Sequence, residues 1–157
     1  MKKIAVKLFF FLVFNLVLSL WINAQTISVS GSVEKRAAKF GSISKGRIIL
    51  SIPEELHINS NKPTSEFMIP TTVRFISDQV NIIKISYPPG KNKKFDFSEE
   101  PINIYDGKTI INFDFNLPKT LKSKTVKIRI IVSYQACTNE VCYQPQKEEI
   151  VLTAKVG

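Results

Sequence analysis

The chain has few of the side chains that ordinarily hold metals or attack substrates. Among 157 residues there are two cysteines and one histidine. Two thiols and one imidazole leave a tetrahedral metal site a ligand short, so neither a metal nor another cofactor is expected. A protease-like cysteine nucleophile needs a histidine partner, and no motif ties His57 to Cys137 or Cys142. After residue 24 no run approaches the roughly 18–20 apolar residues that span a bilayer, and no segment has the periodicity of a convincing amphipathic helix. The lysine excess also lacks aromatic company. Only Phe95 and Phe97 adjoin the clusters Lys91, Lys93, Lys94 and Lys119, Lys122, Lys124, Lys127, too few for a base-stacking platform. No nucleic-acid partner is expected, and the lysines read as solvated faces that keep the domain soluble.

The amino terminus has the pattern of a secretory leader. Lys2, Lys3 and Lys7 precede an apolar run from Leu8 to Trp21, broken by Asn15 and Ser19, and Ile22-Asn23-Ala24 ends in a small residue. Cleavage there leaves Gln25 to Gly157 as one domain, placed outside the cytoplasm. An uncleaved membrane anchor is the alternative, because Ile22 is large for its position. Gln25 is not a cysteine, so lipid modification at that cut is not expected. Removing the three leader lysines lowers the net charge from +9 to +6.

The remainder reads as strands and turns. Val126, Ile128, Ile130, Val132 and Tyr134 alternate with a mostly polar set, and Ile111, Phe113, Phe115 and Leu117 alternate with Asn112, Asp114 and Asn116. A period of two puts one stripe in a core and the other toward solvent. Further strands are expected at Ile27–Val33, Arg47–Ile52, Thr71–Ile76, Asn81–Tyr87, Ile102–Tyr105 and Glu148–Val156. Asp106-Gly107 has the composition of a two-residue hairpin turn. The eight prolines fall at or between these runs, where a missing amide donor does least harm. Ala37–Ile43 carries no clear signal. About eight short strands in a domain of this size predict an all-β, immunoglobulin-like antiparallel sandwich.

The cysteines lie in Tyr134-Gln135-Ala136-Cys137-Thr138-Asn139-Glu140-Val141-Cys142-Tyr143-Gln144-Pro145, between the long alternating strand and the last one. A bridge over so short a loop stabilises by roughly 2 kcal/mol. The residues alone leave open a structural staple and a reversible redox pair. Glu140 between them either disfavours a thiolate, which predicts thiols of ordinary or raised pKa, slow with small disulfides, or is simply a solvated loop residue.

Tyr134-Gln135-Ala136-Cys137 with Val141-Cys142-Tyr143 and Pro145 resembles the active-site segment of the amino-terminal periplasmic domain of the thiol:disulfide interchange protein DsbD. Ile52-Pro53-Glu54-Glu55-Leu56-His57-Ile58-Asn59-Ser60-Asn61-Lys62-Pro63, Ile69-Pro70-Thr71, Tyr87-Pro88 and Tyr105-Asp106-Gly107 follow the same order. The resemblance covers most of Arg47 to Val156. It implies a periplasmic relay, a possible protein-disulfide reductase module. The Cys137–Cys142 pair would take electrons from a membrane thiol reductase and pass them to periplasmic thioredoxin-fold proteins such as isomerases or cytochrome c biogenesis factors. Cys142 would bond to partners and Cys137 would resolve.

The resemblance also implies a cap loop at Lys94–Glu100, with Phe97 or else Phe95 as its lid and Asp96 and Glu99 as nearby acids. The aspartate-glutamate-phenylalanine-aromatic-glycine pattern of well-known members is missing, and both phenylalanines also fit a core reading. Tyr143 is expected at a partner contact and Tyr134 in the core, while His57 reads as a satisfied structural histidine, with a proton carrier as the lesser alternative. The chain stops at Gly157 without the membrane segment and thioredoxin-like domain of the full-length interchange protein, so a stand-alone, monomeric carrier is expected. The competing expectation is an immunoglobulin-like binding module of the envelope with a purely structural disulfide.

Overall fold

The alternation read in the sequence becomes burial in the computed structural model, which describes residues 26–34 and 40–157. The leader expected at 1–24, and residues 37–39 of the undecided stretch, lie outside the described residues. The strands are β1 (Ser28–Val33), β2 (Ile43–Ser51), β3 (His57–Asn59), β4 (Thr72–Ile76), β5 (Asn81–Ser86), β6 (Lys91–Lys93), β7 (Ile102–Tyr105), β8 (Lys108–Asn116), β9 (Thr125–Tyr134), β10 (Ala136–Cys137) and β11 (Gln146–Lys155). No helix occurs among the described residues.

Two sheets make the sandwich. One has the order β1-β2-β8-β5 and the other β11-β9-β4, with antiparallel pairing throughout. Because side chains alternate across a strand, Ile48 and Leu50 of β2, Ile111, Phe113 and Phe115 of β8, and Val126, Ile128, Ile130 and Val132 of β9 share one core. Lys45, Arg47, Lys127 and Arg129 fall in the outward set. The architecture is an immunoglobulin-like antiparallel β-sandwich.

A third sheet, β10-β3-β7-β6, lies at one end and was not expected from the strand pattern. Its strands are two to four residues long, too short to show a period. Residues of β3 are all buried and those of β6 all exposed, so neither alternates.

One expectation needs correction here. Asp106-Gly107 does not close a hairpin between β7 and β8, because β7 pairs with β3 and β6 while β8 pairs with β2 and β5. The dipeptide is a corner that carries the chain from the small sheet into the sandwich. Gly107 has φ +55°, a region glycine enters without steric cost. Its carbonyl accepts the Ile52 amide at 2.9 Å, which joins the corner to the end of β2. The turn chemistry was legible, but the same dipeptide serves a corner as readily as a hairpin.

Candidate functional site

β9 and β11 pair directly, with Gln146 opposite Tyr134, so residues 135–145 leave the end of the sandwich as an excursion. Its first limb, β10, crosses to β3, where Ala136 lies opposite Ile58 and Cys137 opposite His57. The chain then reverses tightly. The Thr138 amide donates to the Val141 carbonyl and the Tyr143 amide to the Ala136 carbonyl, both at 2.8 Å. Thr138 Oγ1 accepts the amides of Glu140 and Val141 at 3.2 and 3.1 Å, a local bonding habit of threonine in turns. Gln135 Nε2 donates to the Tyr143 carbonyl at 3.0 Å.

Between those two rungs Cys137 and Cys142 face each other as an antiparallel bridge, disulfide-bonded with their Cα atoms 3.9 Å apart. This is the non-hydrogen-bonded position, where antiparallel strands approach most closely. The two sulfur-bearing residues differ in access. Cys137 is 1 % exposed, whereas Cys142 is exposed, flanked by exposed Val141 and by Tyr143 at 50 %. Tyr134 is fully buried, and its hydroxyl donates to Gln146 Oε1 at 3.3 Å.

Three rings run outward from the Cys137 side. His57, 3 % exposed, stacks on Phe95 with centroids 4.4 Å apart, and Phe95 stacks on Phe97 at 5.2 Å. Phe95 is buried with Ile102 and Ile104, against Met68, while Phe97 is 47 % exposed. Phe95 is thus packed in the core, while Phe97 stacks on its outer side and is half-exposed. Asp96, Glu99 and Glu100 on the same segment are exposed, as is Glu140 in the turn.

Lys93, at the end of β6, joins this segment to the cysteine turn. Its Nζ donates to Asn139 Oδ1 at 3.1 Å and sits 5.1 Å from the Phe95 ring centroid. Lys91 pairs with Asp106 at 2.6 Å. Sequence reasoning missed the contact of Lys93 with Asn139, since it spans 46 positions and no local pattern encodes it.

One reading of His57 is corrected. No sequence motif ties it to the cysteines, yet the register of β3 and β10 sets it directly across from Cys137. Its ring is buried and stacked on Phe95, with no hydrogen bond to another described residue. Burial lowers its pKa to about 4, helped by the Lys93 charge and opposed by Asp106. A depressed folded-state value means that the unfolded chain binds the extra proton. The stabilisation is therefore complete above about pH 6.5 and is lost as pH falls toward 4, by about 3 kcal/mol at most. Urea unfolding at pH 7 and pH 4.5 checks this: His57→Phe should lose clearly less stability between the two than the unaltered protein does.

No three His, Cys, Asp or Glu side chains gather in a metal-binding group among the described residues. Among those residues, no helix is long and apolar enough to cross a membrane.

Comparison with known proteins gives one family and a set of similar structures, among them the two that follow. The family described as "Thiol:disulfide interchange protein DsbD, N-terminal" matches residues 35–154. The DsbD N-terminal domain of Neisseria meningitidis, solved in the reduced form, superposes with a TM-score of 0.52 at 14 % identity, covering 83 % of this chain and 86 % of that one. The N-terminal periplasmic domain of ScsB from Proteus mirabilis gives 0.56 at 11 % identity, covering 86 % of this chain and 48 % of that one. This chain thus spans about half the length of the ScsB domain. At these identities the two structures speak for the fold. No curated protein matches the sequence.

Proposed function

Because this chain belongs to the family of N-terminal domains of the thiol:disulfide interchange protein DsbD, we propose that it is a thiol-disulfide exchange module whose Cys137–Cys142 pair carries electrons between proteins. The observation that carries the reading is the asymmetry of the bridge. One cysteine lies on an exposed turn and the other is buried behind it. A relay needs one sulfur a partner can reach and one held back to resolve.

In the reduced state the Cys142 thiolate attacks a partner disulfide and expels one partner thiolate, leaving a mixed disulfide. Cys137 then attacks the Cys142 sulfur, the partner leaves with both of its sulfurs reduced, and the intramolecular bridge re-forms. Phe97, Val141 and Tyr143 supply the apolar rim a docking protein would cover, and Phe95 supports Phe97 from beneath. Asp96 and Glu140 add negative charge near the thiols. The electrons come from a membrane thiol reductase and go to thioredoxin-fold proteins of the periplasm, cytochrome c biogenesis factors among them, with the carrier acting as a monomer. The ScsB domain is itself periplasmic, and the leader-like amino terminus supports the same location.

A rate comparison tests the reading. Reduced protein is mixed either with a thioredoxin-fold protein carrying an active-site disulfide or with a small aliphatic disulfide at equal concentration. The second-order rate constant should be at least about 100-fold larger for the protein, because docking orients the reacting sulfurs. Equal rates would remove the partner-dependent relay.

A further inference from the structure

Resolution of a mixed disulfide requires Cys137 to lose a proton, and Cys137 is 1 % exposed. The same burial that keeps solvent from the thiol also penalises a lone thiolate. Beside it stands a titratable group with no other evident task. His57 lies directly opposite Cys137 in the β3–β10 ladder. Residues paired in this way project to the same face of a sheet, with Cβ atoms about 5 Å apart. His57 is 97 % buried, its ring is held flat against Phe95 at 4.4 Å, and its nitrogens bond to no other described residue.

We propose that His57 is the base that takes the Cys137 proton during resolution, a role that rests on the exchange function above. The proton passes from Cys137 Sγ to the unprotonated ring nitrogen. The Cys137 sulfur then forms its bond to Cys142 Sγ, the bond from Cys142 to the partner breaks, and the departing thiolate or solvent takes the proton from the imidazolium. Atoms and electrons balance without a further reagent. The transfer makes a thiolate–imidazolium pair that is neutral overall, which a low-dielectric site tolerates better than an isolated thiolate. Burial keeps His57 unprotonated at neutral pH, with a pKa lowered to about 4 beside the intact disulfide, and a thiolate forming opposite the ring raises its affinity for the proton.

The charged groups facing His57 are Lys93 at the end of β6 and Asp106 beyond β7, the latter already engaged by Lys91 at 2.6 Å. β10 offers Ala136 and Cys137, and the segment after β6 offers the Phe95 ring. Glu140, between the cysteines in sequence, and Asp96, next to Phe95, are exposed and belong to the solvent side.

The test uses reduced protein and an excess of an aromatic disulfide reagent whose thiolate product is coloured. The first equivalent of colour reports attack. The second appears in a phase independent of reagent concentration and reports resolution. With an internal base, the fraction of reactive ion pair does not change with pH between the two pKa values. The resolution rate of the unaltered protein should therefore stay within about threefold from pH 6 to pH 8. His57→Phe keeps a ring for the Phe95 stack and removes the base. It should slow resolution about 100-fold at pH 7 and give a rate that rises tenfold per pH unit, a slope that loss of packing alone does not create.

Resolution in the unaltered protein that already rises tenfold per pH unit overturns the proposal, even if the variant fails to fold. So does a His57→Phe variant with the original rate and profile. Those outcomes leave the relay standing, whereas failure to form any mixed disulfide removes the relay and the role of His57 together.

Discussion

Cys142→Ala is expected to abolish exchange with protein disulfides, a loss of at least about 1000-fold, because the one sulfur a docking partner can reach is gone. Cys137→Ala is expected to behave differently, attacking through Cys142 and then stopping at a stable mixed disulfide. The buried side of the bridge is what the second variant loses, since Cys137 is 1 % exposed and Cys142 lies on the open turn. Gel mobility under non-reducing conditions reads both results. Each variant should stay folded. A bridge closing so short a loop contributes roughly 2 kcal/mol, and the turn retains its hydrogen bonds through Thr138, Val141 and Tyr143. A Cys142→Ala protein that still formed partner adducts through Cys137 would reverse the assignment of roles.

Phe113→Ala should be the most damaging single change to the sandwich, costing about 3–5 kcal/mol. The ring is 1 % exposed on β8, packed 4.8 Å from Phe75 of β4 in the opposite sheet and 5.9 Å from Phe115. It also fills the space above Gly46, where a Cβ would come within 2.1 Å of Phe113 Cζ. The ring and the glycine are cross-strand partners in one sheet and form one packing unit, which the Phe75 contact joins to the other sheet, and truncation leaves a cavity that paired strands close poorly. Urea denaturation at pH 7 measures the effect, and a loss under about 1 kcal/mol would contradict this picture of the core. Where the variant remains folded, its exchange rate with a protein disulfide should match that of the unaltered chain. Phe113 belongs to the sandwich, while the cysteines belong to the small sheet and its turn.

The sandwich was legible because its strands bury one face. β8 and β9 show the alternation in their burial that they show in their sequence, and the expected ends of the long strands lie within a few residues of those observed. The small sheet was hidden for the opposite reason. His57, Ile58 and Asn59 are all buried and Lys91, Asn92 and Lys93 all exposed, so neither segment carries a period of two. The candidate site is built on that sheet, and its geometry stayed out of reach for the same cause.

The cysteine pair, Phe97 and Tyr143 could be singled out by local pattern and family resemblance. The position of His57 could not. Its adjacency to Cys137 is a register between strands 80 positions apart, and no local propensity encodes such a pairing. Lys93 and Asn139 meet for an equally non-local reason.

The most direct test of the relay is the reduction potential of the Cys137–Cys142 bridge, measured by equilibrating the purified protein with glutathione mixtures and trapping free thiols. The account predicts a value between about −180 and −270 mV, where thiol-disulfide carriers operate. A value below about −300 mV would mark a bridge the glutathione pool does not open, contradict the relay, and leave an immunoglobulin-like binding module with a structural disulfide.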